Sequence, residues 1–364
     1  MKLKARILAL LLAVVIAAAM LPSCSDPGPV ALEYEGVRVN ERMYGYWLSH
    51  YKNVYLRSYA GGVDNDAFWD SVLEDGQTAD EYLTSLAIRN IKRYVAGAWL
   101  FDYMGLKLTS DMKNDVKQGI EDVCEMMFDG DVNAFDEYLD TLGIDRDILY
   151  DAYIMDVKLE YVREYLYGVN GIINVPDSDR TIYLNENYVR IEHILVNNKY
   201  KLKTDENGEY ISDENGYGIR TELTEEELAK KNEVIDLIRR GIAVDIDFEE
   251  LWEVYSEDQL YPEGYYLLPT TPFIPEVVGA AFTLEIGEIK ELETEYGTHF
   301  IRRIEMEGTP WDDEESADFF DDFEDDMRAY LFTVMIDETA DKVTVYDEVT
   351  GGISLRDVPA SPYA

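Results

Sequence analysis

Histidine is rare in this chain, and two of its three histidines fall in segments with the pattern of β-strands. His193 lies in a strand predicted over Val189–Val196, and His299 begins a strand predicted over His299–Ile304. Because side chains alternate between the faces of a strand, His193 shares a face with Ile191. Two imidazoles on neighbouring strands would hydrogen-bond through polar side chains inside the sheet, which fixes tautomers and shapes a site. The plainer interpretation is a pair of core histidines that only hold the sheet together.

Other site chemistries find little support in the sequence. It has no Ser/His/Asp arrangement for nucleophilic catalysis, no zinc-ligand spacing and no phosphate-binding loop. Asp129–Asp140 comes near to a calcium loop, but its sixth residue is Ala134 rather than Gly and its last is Asp140 rather than Glu. A helix start explains these residues equally well. We therefore predict no metal and no cofactor.

The N-terminal segment has the features of a secretory signal. Three basic residues precede an apolar run from Ile7 to Leu21, which is shorter than the roughly 20 residues of a membrane span. The run ends at Leu21-Pro-Ser-Cys24, which resembles the lipobox of bacterial lipoproteins. This resemblance implies that residues 1–23 are removed and that Cys24 carries lipid. The protein would then be anchored to the outer face of the cytoplasmic membrane, or to the periplasmic side of an envelope membrane. The alternative is an ordinary signal peptide with an incidental cysteine.

The chain is strongly acidic, with a net charge of −43 at pH 7. Binding to nucleic acid, or to anionic lipid beyond the anchor, requires a cationic surface, so both are disfavoured. Basic or neutral client proteins are favoured over acidic ones. The only cysteines are Cys24 and Cys124. With Cys24 lipidated, no intrachain disulfide forms, and the folded domains depend on their apolar cores.

The first half of the chain has a helical, tyrosine-rich pattern without recognisable site chemistry. Val30–Val39 alternates like a strand with a turn at Gly36, and helical periodicity begins at Glu41. One long helix is indicated by an apolar stripe of Leu83, Ala87, Ile91, Val95 and Ala98. Further helices are predicted at Asp111–Phe128, Ala134–Leu142 and Arg146–Tyr167.

A different pattern covers residues 189–304, where strands and helices are mixed. A helix is predicted over Thr224–Arg240, begun by a capping box at Thr224 and ended by Gly241. Another short helix is predicted over Phe273–Phe282. Between the first strand and the first helix, two Asn-Gly pairs predict an inserted hairpin.

Helical periodicity returns after residue 305. Its apolar stripe is Phe319, Phe320, Phe323, Met327, Leu331 and Val334. Ten of the fifteen residues from 312 to 326 are acidic, and they suit the solvated face and the N-terminus of a helix. A final strand is predicted over Lys342–Tyr346.

These patterns predict an α+β protein. Residues 24–185 and 307–364 would form one mainly helical domain from both ends of the chain. Residues 186–306 would form a second domain inserted into it, in which strands and helices are mixed.

Five segments of the inserted domain form a specific set in a fixed order. They are Arg190–Val196, Gly241–Asp258, Phe273–Phe282, Leu284–Ile289 and Thr294–Ile301. Together they resemble the motifs of parvulin-type peptidyl-prolyl isomerases, and the whole chain is similar to PrsA-type lipoprotein foldases and SurA-type periplasmic chaperones. The resemblance implies that residues 186–306 have an antiparallel sheet with flanking helices, and that the protein is a membrane-anchored foldase outside the cytoplasm. Its partners would be unfolded or partly folded exported proteins with X-Pro bonds.

The resemblance also implies which residues do the chemistry. The polar set is His193, Asp258, Thr294 and His299, and the wall of the proline pocket is Phe273, Val277 and Phe282. Tyr266 is expected to bind the client peptide, as one of several tyrosines that could equally be core. Rotation about an X-Pro bond faces a barrier of about 18–20 kcal/mol, which an enzyme lowers by binding the twisted amide better than the planar one. Asp258, on a loop, is expected to matter for rate and little for folding.

The sequence departs from the parvulin pattern at the pocket. The family's Gly-Gly-x-Leu-Gly turn is replaced by Pro262–Leu268, and its pocket methionine and phenylalanine are matched by Phe273 and Val277. A chaperone that binds client peptides without turnover is therefore the alternative function. A lipoprotein that scaffolds a surface complex is a third interpretation.

Overall fold

The structure, a computed structural model, describes residues 28–73, 75–205, 211–213, 218–313, 316–320 and 322–361. Within them helices predominate, and every pairing between strands is antiparallel, so the predicted α+β class is confirmed. The chain divides into two compact units, Met1–Ile172 with Leu331–Ala364, and Ile173–Tyr330. Cys24 and both Asn-Gly pairs lie outside the described residues. The prediction that residues 186–306 fold as a domain separate from residues 24–185 and 307–364 remains a prediction.

Helices and mostly short strands make up the secondary structure, and both are numbered in chain order. The helices are α1 (Glu41–Tyr59), α2 (Asp66–Trp69), α3 (Ala79–Tyr103), α4 (Ser110–Phe128), α5 (Val132–Thr141), α6 (Arg146–Tyr167), α7 (Asp177–Asn187), α8 (Glu225–Ala243), α9 (Phe248–Tyr255), α10 (Pro275–Ala281), α11 (Phe323–Ala340) and α12 (Asp347–Thr350). The strands are β1 (Val30–Tyr34), β2 (Val37–Asn40), β3 (Val189–Val196), β4 (Lys201–Leu202), β5 (Arg220–Thr221), β6 (Tyr265–Leu267), β7 (Ile289–Glu293), β8 (Thr298–Ile304) and β9 (Thr344–Val345). No helix in the described part of the chain is long and apolar enough to span a membrane.

The first unit is a helical core that packs around α3. All five residues of the predicted α3 stripe are buried, which confirms that side of the helix as its core face. α3 approaches α6 so closely at Gly97 that an added Cβ atom would clash with the side chain of Leu159. A glycine is needed there because any larger residue would separate the two helices.

The C-terminal end of the chain is built into the same first unit. β9 extends the β1–β2 hairpin, with Val345 paired to Leu32. The guanidinium group of Arg93 donates two hydrogen bonds, of 2.6 and 2.8 Å, to the carboxylate of Asp337. The predicted strand Lys342–Tyr346 is only two residues long, because the N–H groups of Lys342 and Val343 donate to carbonyls at the end of α11 and Tyr346 leads directly into α12.

The second unit is built on a four-stranded sheet in the order β6-β3-β8-β7. Both faces of its central strands are covered. On one face, Ile191 and Ile301 pack with Val277 of α10. On the other face, Ile194 and Phe300 pack with residues of α8 and α9. Because of this double burial, six of the eight residues of β3 are buried, including the polar residues Arg190 and His193.

Two of the sequence predictions for helix ends are wrong. Gly241 does not end α8, which continues to Ala243. Its missing side chain instead admits Leu251 of α9, whose Cδ2 would lie 2.6 Å from an added Cβ atom. α11 begins only at Phe323, because the preceding acidic segment forms two short 3₁₀ turns. Val334 is 49% exposed and is not part of the buried stripe.

Candidate functional site

The two strand histidines meet directly. In the β3–β8 register, His193 lies opposite Ile301 and His299 lies opposite Leu195, so the histidines are diagonal neighbours on one face. Nε2 of His193 is 2.8 Å from Nδ1 of His299. The prediction that polar side chains would link the two imidazoles was therefore wrong, since they hydrogen-bond to each other.

Three more residues extend this contact at both ends. Thr294 Oγ1 lies 2.7 Å from Nε2 of His299. At the other end, Nδ1 of His193 lies 2.8 Å from Oδ2 of Asp258, which also accepts a hydrogen bond from the Tyr265 hydroxyl. The result is a five-residue chain that joins four separate segments of the second unit, and all four polar residues expected from the sequence belong to it.

The loop after α9 positions Asp258. The Ser256 hydroxyl donates to the Asp258 carbonyl at 2.8 Å and accepts the N–H groups of Asp258 and Leu195. The N–H group of Glu257 donates to the Leu195 carbonyl at 2.8 Å. The loop thus continues along β3 beyond the end of β6, whose pairing stops at Ile191. This anchoring holds the carboxylate of Asp258 beside the ring of His193.

Hydrogen-bonding capacity sets the direction of every bond in the chain. The carboxylate of Asp258 only accepts, so Nδ1 of His193 carries a hydrogen. With both imidazoles neutral, Nε2 of His193 accepts from Nδ1 of His299, and Nε2 of His299 accepts from the hydroxyl of Thr294. All donors therefore point from Thr294 towards Asp258, and Tyr265 donates to the same carboxylate from the other side.

The electrostatics of the chain agree with this assignment. Burial, together with the neighbouring His193, lowers the pKa of His299 to about 4, so that its imidazole is neutral at pH 7. Burial raises the pKa of Asp258, but the hydrogen bonds from His193 and Tyr265 outweigh it, and the pKa lies below its ordinary value. Burial, and then the hydrogen bond to Asp258, raise the pKa of Tyr265. The chain therefore ends in the ionised carboxylate of Asp258, and the imidazole of His299 behind it is neutral at pH 7.

Aromatic and apolar side chains cover the same face. The ring of Phe273 lies 5.8 Å from the His193 ring and 4.9 Å from the Tyr265 ring. Val277 is fully buried in the same cluster, and Phe282 packs against it. The structure therefore places the three expected pocket residues on the histidine face.

Tyr266 does not belong to this site. β6 pairs Tyr265 with Ile191 and Tyr266 with Arg190, and adjacent residues of a strand point to opposite faces. Tyr266 is buried on the far face, where the Arg190 guanidinium lies 5.3 Å from its ring. The structure therefore does not bring Tyr266 together with the other predicted site residues, and its role in peptide binding stays a prediction.

Tyr265 is the site residue that the sequence reasoning did not select. The sequence does contain a signal for it, because a tyrosine that faces the histidines can hydrogen-bond to a loop carboxylate. Only the β3–β6 register shows that Tyr265 faces them. The expectation that Asp258 matters little for folding also needs correction. Its side chain is only 12% exposed and accepts bonds from two buried neighbours.

Open space beside the chain is small. A cavity of about 10 Å³ borders His193, lined also by Trp252, Tyr261 and Pro262, which is room for a single water molecule. No group of three or more His, Cys, Asp or Glu side chains in the described ranges could hold a metal ion. The near-calcium loop serves as a helix start, where the Asp131 carboxylate accepts the N–H groups of Asn133 and Ala134.

Comparisons with known proteins give structural neighbours only. No protein-family model and no curated protein matches the sequence. PrsA from Bacillus subtilis is 17% identical, with 76% of this chain and 92% of that chain covered and a TM-score of 0.24. The peptidylprolyl isomerase PrsA from Bacillus cereus is 18% identical, with 78% and 96% covered and a TM-score of 0.26. The SurA-like chaperones PEB4 and Cj1289 of Campylobacter jejuni are represented by a structure that is 10% identical, with 77% and 93% covered and a TM-score of 0.24. The solved structures that this chain resembles thus include PrsA foldases and SurA-like chaperones.

Proposed function

We propose that this protein is a peptidyl-prolyl isomerase that assists the folding of exported proteins, with His193, His299, Asp258 and Thr294 as its polar site. The observation that carries the proposal is the five-residue chain, which ends in an ionised carboxylate beneath an aromatic wall. Isomerisation of an X-Pro bond forms and breaks no covalent bond to the enzyme, so the site needs no nucleophile. It needs fixed polar groups that favour the twisted amide.

The geometry supports this chemistry in two ways. The ring of Phe273 and the neighbouring apolar cluster offer a surface for a proline ring. The ionised Asp258 disfavours the resonance form of the amide that places negative charge on the carbonyl oxygen. That form gives the C–N bond its double-bond character, so its destabilisation lowers the rotational barrier.

A proline-peptide isomerisation assay on the intact protein tests the proposal. Wild type should accelerate cis/trans exchange, and Asp258→Asn should lower kcat/KM by about tenfold or more, a loss of about 1.4 kcal/mol of transition-state stabilisation. An amide in place of the carboxylate removes the negative charge. Because an amide both donates and accepts hydrogen bonds, it no longer fixes the direction of the hydrogen bonds along the chain.

Asp318→Asn is the matched control. Asp318 accepts a hydrogen bond of 3.1 Å from the Tyr261 hydroxyl and is not part of the five-residue chain, so the same chemical change there should leave the rate unaltered. Equal rates for wild type and Asp258→Asn would contradict the role of Asp258. A wild type without any acceleration would contradict the isomerase.

A peptide-binding chaperone without turnover is the second candidate. The ring contacts at His193 favour it, because Tyr265 and Phe273 both pack against the imidazole and cover part of the surface that a proline ring would contact. Client binding by a wild type that lacks isomerase activity would support this function.

Membrane anchorage through Cys24 is part of the same proposal. Each buried methylene of a lipid chain contributes about 0.8 kcal/mol to membrane binding, so Cys24→Ala should move the protein from the membrane fraction to the soluble fraction. A variant that stays in the membrane fraction would contradict the anchor.

A further inference from the structure

The first unit contains a groove that is separate from the five-residue hydrogen-bonded chain of the second unit. It lies between α4 and α6 and has a volume of about 370 Å³. Its lining includes Met112, Asp115, Val116, Gly119, Tyr153 and Asp156. The groove therefore combines apolar, aromatic and acidic groups in one concave surface.

Gly119 keeps the groove open. An added Cβ atom there would meet no other atom within 4 Å. Gly97 and Gly241 differ from it, since each faces a leucine side chain that occupies the space, whereas the helical glycines Gly45 and Gly279 also adjoin open space. Glycine is unfavourable inside a helix, and at Gly119 no packing partner explains it. The absence of a side chain at Gly119 therefore leaves space in the groove.

The charge in the groove is negative and uncompensated. Asp156 is half-buried and accepts a hydrogen bond from Tyr94. Among the residues that the structure describes, neither Asp156 nor Asp115 forms an ion pair with a Lys or Arg. Burial and the nearby Glu160 raise the pKa of Asp156, so a cation in the groove would relieve an unfavourable charge.

Aromatic rings lie behind this carboxylate. Tyr94 stacks on Trp47 with ring centroids 4.3 Å apart, and its hydroxyl lies 3.4 Å from that of Tyr51. Tyr153 lines the groove itself. Carboxylates combined with tyrosine rings suit the head of a lysine or arginine side chain, which gains ionic and cation–π contacts together.

The groove side of α4 extends beyond the cavity. Met112, Gly119 and Met126 recur at seven-residue intervals and therefore lie on one side of the helix, and Met126 is 72% exposed. From Met112 to Met126 the helix rises roughly 21 Å, the length of about six residues of extended chain. Methionine side chains adapt to varied apolar partners.

We propose that this groove binds short extended segments of unfolded client chains that combine apolar residues with Lys or Arg. The net charge of −43 favours the same class of ligand. Binding here does not require proline, so the inference goes beyond the proposed isomerase and does not depend on it.

The test uses the intact protein and a fluorescent, proline-free peptide of alternating leucine and lysine, followed by anisotropy. Gly119→Leu fills the groove with a residue that favours helix, and it should weaken binding by about tenfold or more, or about 1.4 kcal/mol. Asn114→Leu adds the same bulk to the exposed opposite side of α4 and should leave the affinity unchanged. Asp156→Asn keeps the shape of the groove, removes the charge and should weaken binding several-fold.

Four results would overturn the proposal. They are unchanged affinity in both Gly119→Leu and Asp156→Asn, equal binding of a leucine–glutamate peptide, equal binding of a serine–lysine peptide, and a wild-type dimer that Gly119→Leu dissociates. The serine–lysine result would mean general attraction to an acidic protein, and the dimer would mean that a second copy occupies the groove. Gly119→Leu should keep the wild-type rate of proline isomerisation. Failure of the groove and failure of the isomerase are therefore separate outcomes.

Discussion

Replacing His299 with phenylalanine should lower the free energy of unfolding of the second unit by about 2–6 kcal/mol, because each buried polar group left without a partner costs about 1–3 kcal/mol. The two groups are Nε2 of His193, which loses its donor, and the O–H donor of Thr294, which loses its acceptor although Oγ1 still accepts from the N–H group of Tyr296. His299 is fully buried, so water cannot replace it. Amide hydrogen exchange of β3 and β8 in the intact protein measures the effect, and opening should become about thirtyfold or more frequent.

Two further variants separate the hydrogen bonds from packing. His299→Asn keeps a side-chain N–H group near His193 and should destabilise the unit less than phenylalanine does. Thr294→Val removes the hydroxyl at nearly constant shape. The double variant His299→Phe/Thr294→Val should lose less free energy of unfolding than the sum of the two single variants, because both changes break the same hydrogen bond between Thr294 and His299. Wild-type protection in His299→Phe would contradict a buried, fully paired chain.

The second unit should lose stability as the pH falls from about 6.5 to about 4. The pKa of His299 is about 4 in the folded protein and about 6.5 in an unfolded chain. Between these values the unfolded state binds the proton and the folded state does not, so acid favours unfolding. The full effect amounts to about 3 kcal/mol, at about 1.4 kcal/mol for each pKa unit. Hydrogen exchange of β3 and β8 across this pH range gives the slope.

Proton NMR of the imidazoles checks the origin of this pH dependence. With only three histidines in the chain, each resonance can be assigned by single substitution. His299 should remain neutral down to about pH 5, and His299→Asn should remove most of the slope. Asp258, whose pKa is also lowered, adds a further loss only below its ordinary pKa of 3.8. Titration of His299 near pH 6.5 would contradict the prediction.

Secondary structure was largely predictable because its signals are local. The bounds of β3 and α6 were predicted correctly, and the capping box of Thr224 and Glu227 begins α8 as expected. Caps and apolar periodicity are determined within a few residues of each other. The prediction failed at Gly241 because the reason for that glycine is Leu251 of another helix.

The start of α11 failed for a similar reason. Phe319 and Phe320 have helical spacing relative to Phe323, which predicted one continuous helix. In the structure Phe319 packs against Tyr261, with ring centroids 4.6 Å apart, and Phe320 packs against Tyr266, at 5.1 Å. Contacts with distant tyrosines outweigh the local periodicity, as tertiary packing commonly does.

The sequence by itself determined which residue types stand at the candidate site. His193, His299, Asp258 and Thr294 could be selected from ordered motifs, and the strand pattern placed both histidines inside a sheet. Only the tertiary structure decided which atoms meet. The bond between His193 and His299 joins residues 106 positions apart, and it depends on the register of β3 with β8. The choice of Tyr265 over Tyr266 depends on the register of β6, because a shift of one residue moves a side chain to the opposite face of the sheet.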